Sequence, residues 1–119
     1  FPNCFIISNT QSGFTANFPH MINEQAKHIA YVLTHASQHQ VRRVEASQAA
    51  EEAWVQTIID LSVMRQKFLE ECTPGYYNNE GKVQAMSTRN GSYGAGPVAF
   101  VKVLEDWRAE GSLKGLELS

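Results

Sequence analysis

The chain has 119 residues, of which 43% are hydrophobic and 18% charged, and its formal net charge is -2. This composition is typical of a folded globular protein, since disordered chains contain fewer apolar residues and more net charge. The length allows one ordinary domain at most. The sequence has no basic stripe with interleaved aromatic residues and no apolar run of about 18 residues, so neither a nucleic-acid partner nor a membrane partner is predicted.

The two cysteines, Cys4 and Cys72, are too few and too far apart for a disulfide framework or a metal cluster. We interpret them as reduced thiols, with Cys4 buried as a small apolar residue of a strand. The apolar stretch near the start is too short for a signal peptide. The sequence therefore predicts a soluble, cytoplasmic protein.

The first predicted element is a strand, FPNCFIIS (residues 1–8), which is rich in Phe and Ile and begins without Met. A buried strand needs neighbouring strands for its backbone hydrogen bonds. Since no such neighbour is evident in the sequence, we expect the chain to be part of a larger protein.

The first predicted helix follows a polar loop that contains Gly13, and it begins near Pro19 or His20. Apolar residues spaced by three and four along this helix predict one buried face, formed by Ile22, Ala26, Ile29, Ala30, Leu33 and Ala36. A short extended link is predicted over residues 41–45.

A second helix is predicted from the N-cap candidate Ser47 to about Glu71, with Trp54 and Phe68 as core anchors. Residues 73–96, rich in Gly, Asn, Tyr and Ser, are predicted to be a loop with one strand or hairpin around Val83. The third helix starts at Gly96 and Pro97 and ends before Gly111. Its predicted buried face consists of Val98, Val101, Leu104 and Trp107 or Arg108, and the tail SLKGLELS is placed on the surface.

No catalytic or metal-binding residue is predicted. His35 and His39 have the i, i+4 spacing of a metal site, but no acidic or thiol ligand lies near them in the sequence. The adjacent carboxylate pairs point about 100 degrees apart on a helix and cannot share a proton. The nucleophile-elbow, dinucleotide-binding and phosphate-loop motifs are all missing.

Two loops are the candidate binding segments. The loop over residues 9–20 leads into a helix, whose first backbone N–H groups, near Asn17 and Phe18, attract carbonyl groups and negative charge. The loop TPGYYNNEGK (residues 73–82) offers aromatic faces and amides that suit a flat ligand. Both loops are equally compatible with tight turns that bind nothing.

Four segments, in this order, resemble the C-terminal part of the flavin-dependent Baeyer–Villiger monooxygenases. They are the FPN strand, the loop with Gly, Phe, Thr and Asn before a long helix, RRVEAS followed by AEEAWV, and CTPGYYNNEGK. The resemblance covers essentially the whole chain. It implies an α/β fold, as the helix-rich C-terminal part of a Rossmann-like FAD-binding domain with one edge or core strand, three helices and the long loop.

The resemblance also implies a function, the oxidation of ketones to esters or lactones with FAD, NADPH and O2. In such an enzyme Asn17 and Phe18 would lie at the flavin, and Tyr76 and Tyr77 would contact the NADP cofactor from a mobile loop at about 73–96. The ketone would contact Phe14, Thr15, Ala16 and Met86. The implied partner is the N-terminal part of the same enzyme, in the same or a separate chain.

The sequence also departs from the family pattern. A Gly-Pro pair common after the strand is replaced by Asn9-Thr10, and a Trp of the mobile loop has no counterpart at Thr73-Pro74. The glycine motifs for both dinucleotides and the arginine that stabilises the flavin peroxide are absent, so the chain alone is expected to be inactive. The alternative hypothesis is a small helical module that binds a protein partner without catalytic activity, and a third is a degenerate, inactive piece of a flavoprotein.

Overall fold

The computed structural model of this chain describes residues 1–62 and 88–119. Within them the chain forms three helices and two short strands, which confirms the predicted mixed α/β class. The helices are α1 (Phe18–Gln38), α2 (Gln48–Asp60) and α3 (Pro97–Glu110), and the strands are β1 (Val44–Ala46) and β2 (Leu116–Leu118). The predictions for Phe68, Cys72 and the strand around Val83 lie outside the described residues.

Helix α1 begins within two residues of its predicted start. Asn17 is its N-cap, and the Asn17 side-chain oxygen accepts a hydrogen bond from the His20 N–H at 3.3 Å. This bond satisfies one of the backbone donors that a helix leaves free at its start. Pro19 is tolerated in the first turn because its missing N–H would have had no partner within the helix.

The buried face of α1 differs from the predicted one. Ala36 is buried as expected and Ile22 and Ile29 are half-buried, but Ala26, Ala30 and Leu33 are exposed. The helix turns a neighbouring face inward instead, formed by Met21, Glu24, Gln25, Val32 and Ala36. This face is buried because α1 packs against α3. Of the predicted face, Ala26, Ala30 and Leu33 are left without cover by the described elements.

The strands β1 and β2 form an antiparallel pair in which Val44 lies opposite Leu118. The ladder continues beyond them, since the Ser119 N–H donates to the Arg43 carbonyl at 3.0 Å and the Arg43 N–H donates back at 2.6 Å. The tail, predicted to lie on the surface, is mostly exposed or half-buried, but it forms β2 and buries Leu113 to 4% exposure. Three residues of alternating pattern are too few for a sequence to indicate a strand.

Two apolar groups connect the elements. Beside the sheet, Trp107 of α3 packs with partly buried neighbours against the buried cluster Val32, Ala36 and Val44. Between α2 and α3, the Trp54 ring stacks on Tyr93 with centroids 5.6 Å apart, and both rings lie against Phe100. Trp54 joins α2 to α3 through its contact with Phe100, but it is half-buried, so the prediction of a core anchor holds in part.

The predicted strand at the start of the chain is not formed. Residues 1–7 are exposed and irregular, and Cys4, predicted to be buried, is an exposed free thiol. A strand requires a hydrogen-bonded neighbour along its length, and the described strands offer residues 4–8 no such neighbour. Large apolar side chains, those of Phe1, Phe5, Ile6 and Ile7, consequently face solvent.

Helix α2 begins as predicted but ends earlier. The Ser47 hydroxyl accepts a hydrogen bond from the Ala50 N–H at 3.3 Å, which confirms Ser47 as the N-cap. The helix ends at Asp60 instead of continuing through residues 61 and 62 as predicted, and the rest of its predicted extent, residues 63–71, lies outside the described residues. Both the N–H and the hydroxyl of Ser62 bind the Ile59 carbonyl, a tighter turn that competes with further helix.

Helix α3 has the predicted bounds but a different buried residue. Gly96 precedes it at φ 95° and Gly111 ends it in the left-handed conformation at φ 69°. Phe100, not named by the sequence pattern, is buried, whereas Val98 is 83% exposed. In the described part of the chain, no helix combines the length and apolar character needed to cross a membrane.

Candidate functional site

The candidate site is the loop between Ser8 and Asn17, together with the first turn of α1. Five consecutive residues predicted to bind ligands, residues 14–18, form one surface here, with Phe14 64% and Phe18 40% exposed. Thr15 is half-buried and Ala16 is exposed. The other predicted ligand contacts, those of Tyr76, Tyr77 and Met86, lie outside the described residues.

The start of α1 carries partial positive charge, because the aligned peptide dipoles of 21 residues end there. The Asn17 N–H already donates to the Thr15 hydroxyl at 3.3 Å. The His20 N–H is capped by the Asn17 side chain, and Pro19 has no N–H. Phe18 is therefore the residue whose backbone N–H is best placed to meet an anionic or carbonyl group.

The base of the loop is held by the buried side chain of Gln25, which lies in the second turn of α1. Its amide oxygen accepts from the Ser8 N–H at 3.2 Å, and its amide nitrogen donates to the Ser8 carbonyl at 3.1 Å. The Ser12 hydroxyl donates to the same carbonyl at 2.5 Å. The sequence reading did not identify Gln25, because a polar residue in a helix pattern is usually exposed.

A second contact joins the loop to the segment that leads into α3. The Gln11 N–H donates to the Gly91 carbonyl at 2.7 Å, and the Tyr93 N–H donates to the Ser12 carbonyl at 2.9 Å. The Gln11 side chain also donates to the Arg89 carbonyl at 3.0 Å. Residues 89–93 and 11–12 thus lie side by side, although about 80 residues separate them in the chain.

An open cleft of about 500 Å³ lies between the start of α1 and the first turns of α3. Two of the predicted site residues, Thr15 and Asn17, line it, and its other lining residues are His20, Met21, Pro97, Val98, Val101, Lys102 and Glu105. Its walls are mostly apolar, and its charged side chains are those of Lys102 and Glu105 on α3. The α3 residues could not be assigned to the site from the sequence, since nothing in their local pattern indicates which distant loop they meet.

A smaller cleft of about 220 Å³ borders the other side of the loop, where Gln25, His28 and Phe100 contribute to the lining. Burial, and then the positive charge of Arg108, lower the pKa of His28 below its ordinary value of 6.5. The His28 Nδ1 atom and one Arg108 guanidinium nitrogen are buried without a hydrogen-bond partner among the described residues. The lowered pKa favours the neutral form of His28 beside Arg108.

The histidines show no metal-binding arrangement. Among the described residues, no group of three or more His, Cys, Asp or Glu side chains lies close enough together to hold a metal ion. The His35 and His39 rings stack with centroids 4.0 Å apart, and the Nδ1 atom of His39 lies 2.9 Å from the His35 carbonyl oxygen. The i, i+4 spacing thus places both histidines at the C-terminal end of α1, where His39 caps the helix.

Known proteins align with 98–99% of the chain. The chain is 48% identical to neopentalenolactone D synthase of Streptomyces avermitilis, 34% identical to a Baeyer–Villiger monooxygenase of Stachybotrys chlorohalonatus, and 33% identical to an FAD-binding monooxygenase of Hypomyces subiculosus. No protein-family model matches the chain. The matched part is only 19–20% of each relative, so the chain spans about a fifth of their length.

Two solved structures superimpose on the whole chain. One is a polycyclic ketone monooxygenase of Thermothelomyces thermophila, at 33% identity and a TM-score of 0.78 over 19% of its length. The other is cyclohexanone monooxygenase of a Rhodococcus species bound to NADP+, at 26% identity and a TM-score of 0.77 over 21% of its length. The chain is homologous to a segment of the Baeyer–Villiger monooxygenases. The family resemblance predicted from the sequence is thereby confirmed.

Proposed function

We propose that this chain is the C-terminal segment of a Baeyer–Villiger monooxygenase that uses FAD, NADPH and O2 to convert a ketone into an ester or lactone. The observation that carries the proposal is the match of the whole chain, in sequence and in fold, to one segment of two ketone monooxygenases. In the reaction, one oxygen atom of O2 enters beside the ketone carbonyl. NADPH supplies the electrons that reduce the other atom to water.

The first turn of α1 fits the flavin. The positive end of the helix dipole and the Phe18 N–H suit the pyrimidine edge of a flavin, which becomes negative when the flavin is reduced. Asn17 supports this role indirectly, because its capping bond to the His20 N–H fixes the direction of the first turn. FAD supplies the oxygen-transfer chemistry when it is bound, and we assign no general acid, base or nucleophile to the described residues of this chain.

The exposed end of the loop fits a ketone. Phe14 offers an apolar face, Thr15 is held by its bond from the Asn17 N–H, and Ala16 leaves room beside it. Apolar surface with few polar groups is typical of sites for small organic molecules. We assign these three residues to the wall of the ketone site, and the assignments of Met86 to that wall and of Tyr76 and Tyr77 to the NADP cofactor remain part of the proposal.

The partner we infer is the N-terminal part of the enzyme. Two apolar surfaces lack cover within the described residues, the segment with Phe5, Ile6 and Ile7 and the outer face of α1 with Leu33. A soluble protein rarely leaves such surfaces open together, so both suit contact with a larger body. There the exposed segment at residues 1–7 would be covered, with the chain forming the helix-rich part of a Rossmann-like FAD-binding domain. A cytoplasmic location stays a prediction from the sequence.

The test is to express the full-length protein and measure three quantities: bound FAD by its absorbance, NADPH oxidation, and ester or lactone product from cyclohexanone and decalone. We expect stoichiometric FAD and product formation that requires NADPH. A matched control is the 119-residue chain alone, which we expect to bind no flavin. If the chain folds stably by itself and the full-length protein neither binds FAD nor oxidises a ketone, the protein-interaction module is the better hypothesis.

A further inference from the structure

The loop that carries the proposed ketone contacts is attached to α1 by one buried side chain. Gln25 is 9% exposed, and its amide makes three hydrogen bonds: it accepts from the Ser8 N–H, donates to the Ser8 carbonyl and donates to the Ser12 hydroxyl at 3.4 Å. The Gln25 amide binds both the N–H and the C=O of Ser8, as the backbone of a neighbouring strand would do. Ser8 is thereby fixed relative to the second turn of α1.

The other end of the loop is fixed as well. Asn17 is the N-cap of the same helix, so both ends of residues 8–17 are tied to α1. Between them, a Cβ added at Gly13 would lie 2.8 Å from Met21 Cε and 3.1 Å from Pro97 Cα, which shows how closely the loop backbone is seated. Phe14 directly follows this seat and is 64% exposed.

We propose that Gln25 is a positioning residue for substrate recognition: its amide fixes the loop base so that Phe14, Thr15 and Ala16 meet the ketone in one arrangement. This inference rests on the proposed function. A side chain that loses the amide leaves the Ser8 N–H without its acceptor and the Ser8 carbonyl with the Ser12 hydroxyl as its remaining donor. The loop base then moves so that the Ser8 N–H reaches water or another acceptor. The displaced end would bind the ketone more weakly, while the flavin, held at the start of α1, would still bind.

The experiment uses the full-length, FAD-loaded enzyme and compares Gln25→Met, which keeps the side-chain length without the amide, with Gln38→Met. Gln38 is the exposed last residue of the same helix, so it is a matched control. We expect Gln25→Met to raise the KM for decalone at least fivefold with kcat and bound FAD within twofold of the parent. In Gln25→Met, the backbone amides of residues 8–13 should exchange hydrogen at least tenfold faster than in the parent. Gln38→Met should change neither the KM nor the exchange rate of these amides.

Gln25→Glu tests the same point if Gln25→Met folds poorly. The introduced carboxyl can donate a hydrogen bond when protonated but only accept when ionised. The KM of Gln25→Glu should therefore fall toward the parent value as the pH is lowered, relative to the parent at each pH. An unchanged exchange rate in residues 8–13, or an unchanged KM despite faster exchange, overturns the inference. A wild-type enzyme without flavin or ketone activity instead overturns the proposed function, and the exchange comparison then decides alone whether Gln25 holds the loop.

Discussion

Asn3 and Val44 form a pair of hydrogen bonds across the edge of β1 that β2 leaves open. The Asn3 N–H donates to the Val44 carbonyl at 2.8 Å, and the Val44 N–H donates to the Asn3 side-chain oxygen at 2.9 Å. The Asn3 amide nitrogen also donates to the Arg42 carbonyl at 3.0 Å. One residue in the left-handed conformation, with φ 58°, thus takes the place of a third strand.

This pair of hydrogen bonds predicts how two variants of Asn3 rank in stability. Asn3→Ala loses both side-chain bonds and places Ala at a positive φ, so we expect it to reduce the free energy of unfolding by about 1–3 kcal/mol. Asn3→Asp keeps an acceptor for the Val44 N–H and should lie between Ala and the parent. Thermal unfolding of the full-length protein measures both. A variant Asn3→Ala as stable as the parent would show that the pair contributes nothing.

Steric contact of Gly13 predicts a second effect. An added Cβ would lie 2.8 Å from Met21 Cε, which can move, but also 3.1 Å from the Pro97 backbone, which moves less easily. We expect Gly13→Ala to destabilise the protein by about 1–3 kcal/mol, the usual cost of overpacking. The double variant with Met21→Ala should cost less than the sum of the two single changes, because the shortened side chain makes room. Additive costs in this double-mutant cycle would contradict the contact.

Much of the local structure could be predicted from the sequence, because its causes are local. Ser47 was identified as an N-cap from its residue type, and Gly96, Pro97 and Gly111 marked the bounds of α3. The causes of the rest lie far apart in the chain. Nothing within LEL at the end of the chain indicates that it pairs with residues 44–46, since a strand depends on its neighbour.

The same distinction applies to the candidate site. The start of α1 at Asn17 and Phe18 could be predicted because a loop that leads into a helix is a local signal for a helix N-terminus, whereas the ligand contacts of these two residues stay a prediction. Gln25 was missed, since its burial depends on where the Ser8 backbone lies, and the contact of Gly13 with Pro97 spans 84 residues. The face of α1 was wrong for a related reason: several faces of this helix carry apolar residues, and the position of α3 decides which face is buried.

Two glycines near α3 allow a matched comparison of steric and conformational cost. A Cβ at Gly94 would clash with the Leu61 carbonyl oxygen. A Cβ at Gly96 would meet nothing within 4 Å, but the backbone there has a φ of 95°. Gly96→Ala should therefore cost about 1–2 kcal/mol from backbone strain alone. Gly94→Ala should cost more, because two backbone segments must separate. Urea unfolding of the two variants side by side gives the order, and a smaller effect at Gly94 would contradict the close approach.

The buried His28 predicts how stability changes with pH. Burial and the Arg108 charge lower the pKa of His28 in the folded protein below 6.5, so the unfolded chain takes up a proton at a higher pH than the folded one. Stability should therefore decrease as the pH falls below about 6.5. Glu24, whose pKa is lowered mainly by its hydrogen bond from Lys27, loses its contribution only below 4.5, outside this range.

Substitution separates this effect from other titrations. The thermal midpoint of the full-length protein, measured between pH 7.5 and 5.5, should fall less steeply in His28→Gln than in the parent, because Gln takes up no proton. Arg108→Gln should also reduce the slope, though less, since burial is the larger cause of the lowered pKa and remains in that variant. Comparing slopes, rather than midpoints at one pH, removes any constant loss of packing. Equal slopes in the parent and His28→Gln would show that His28 does not titrate differently in the folded and unfolded states.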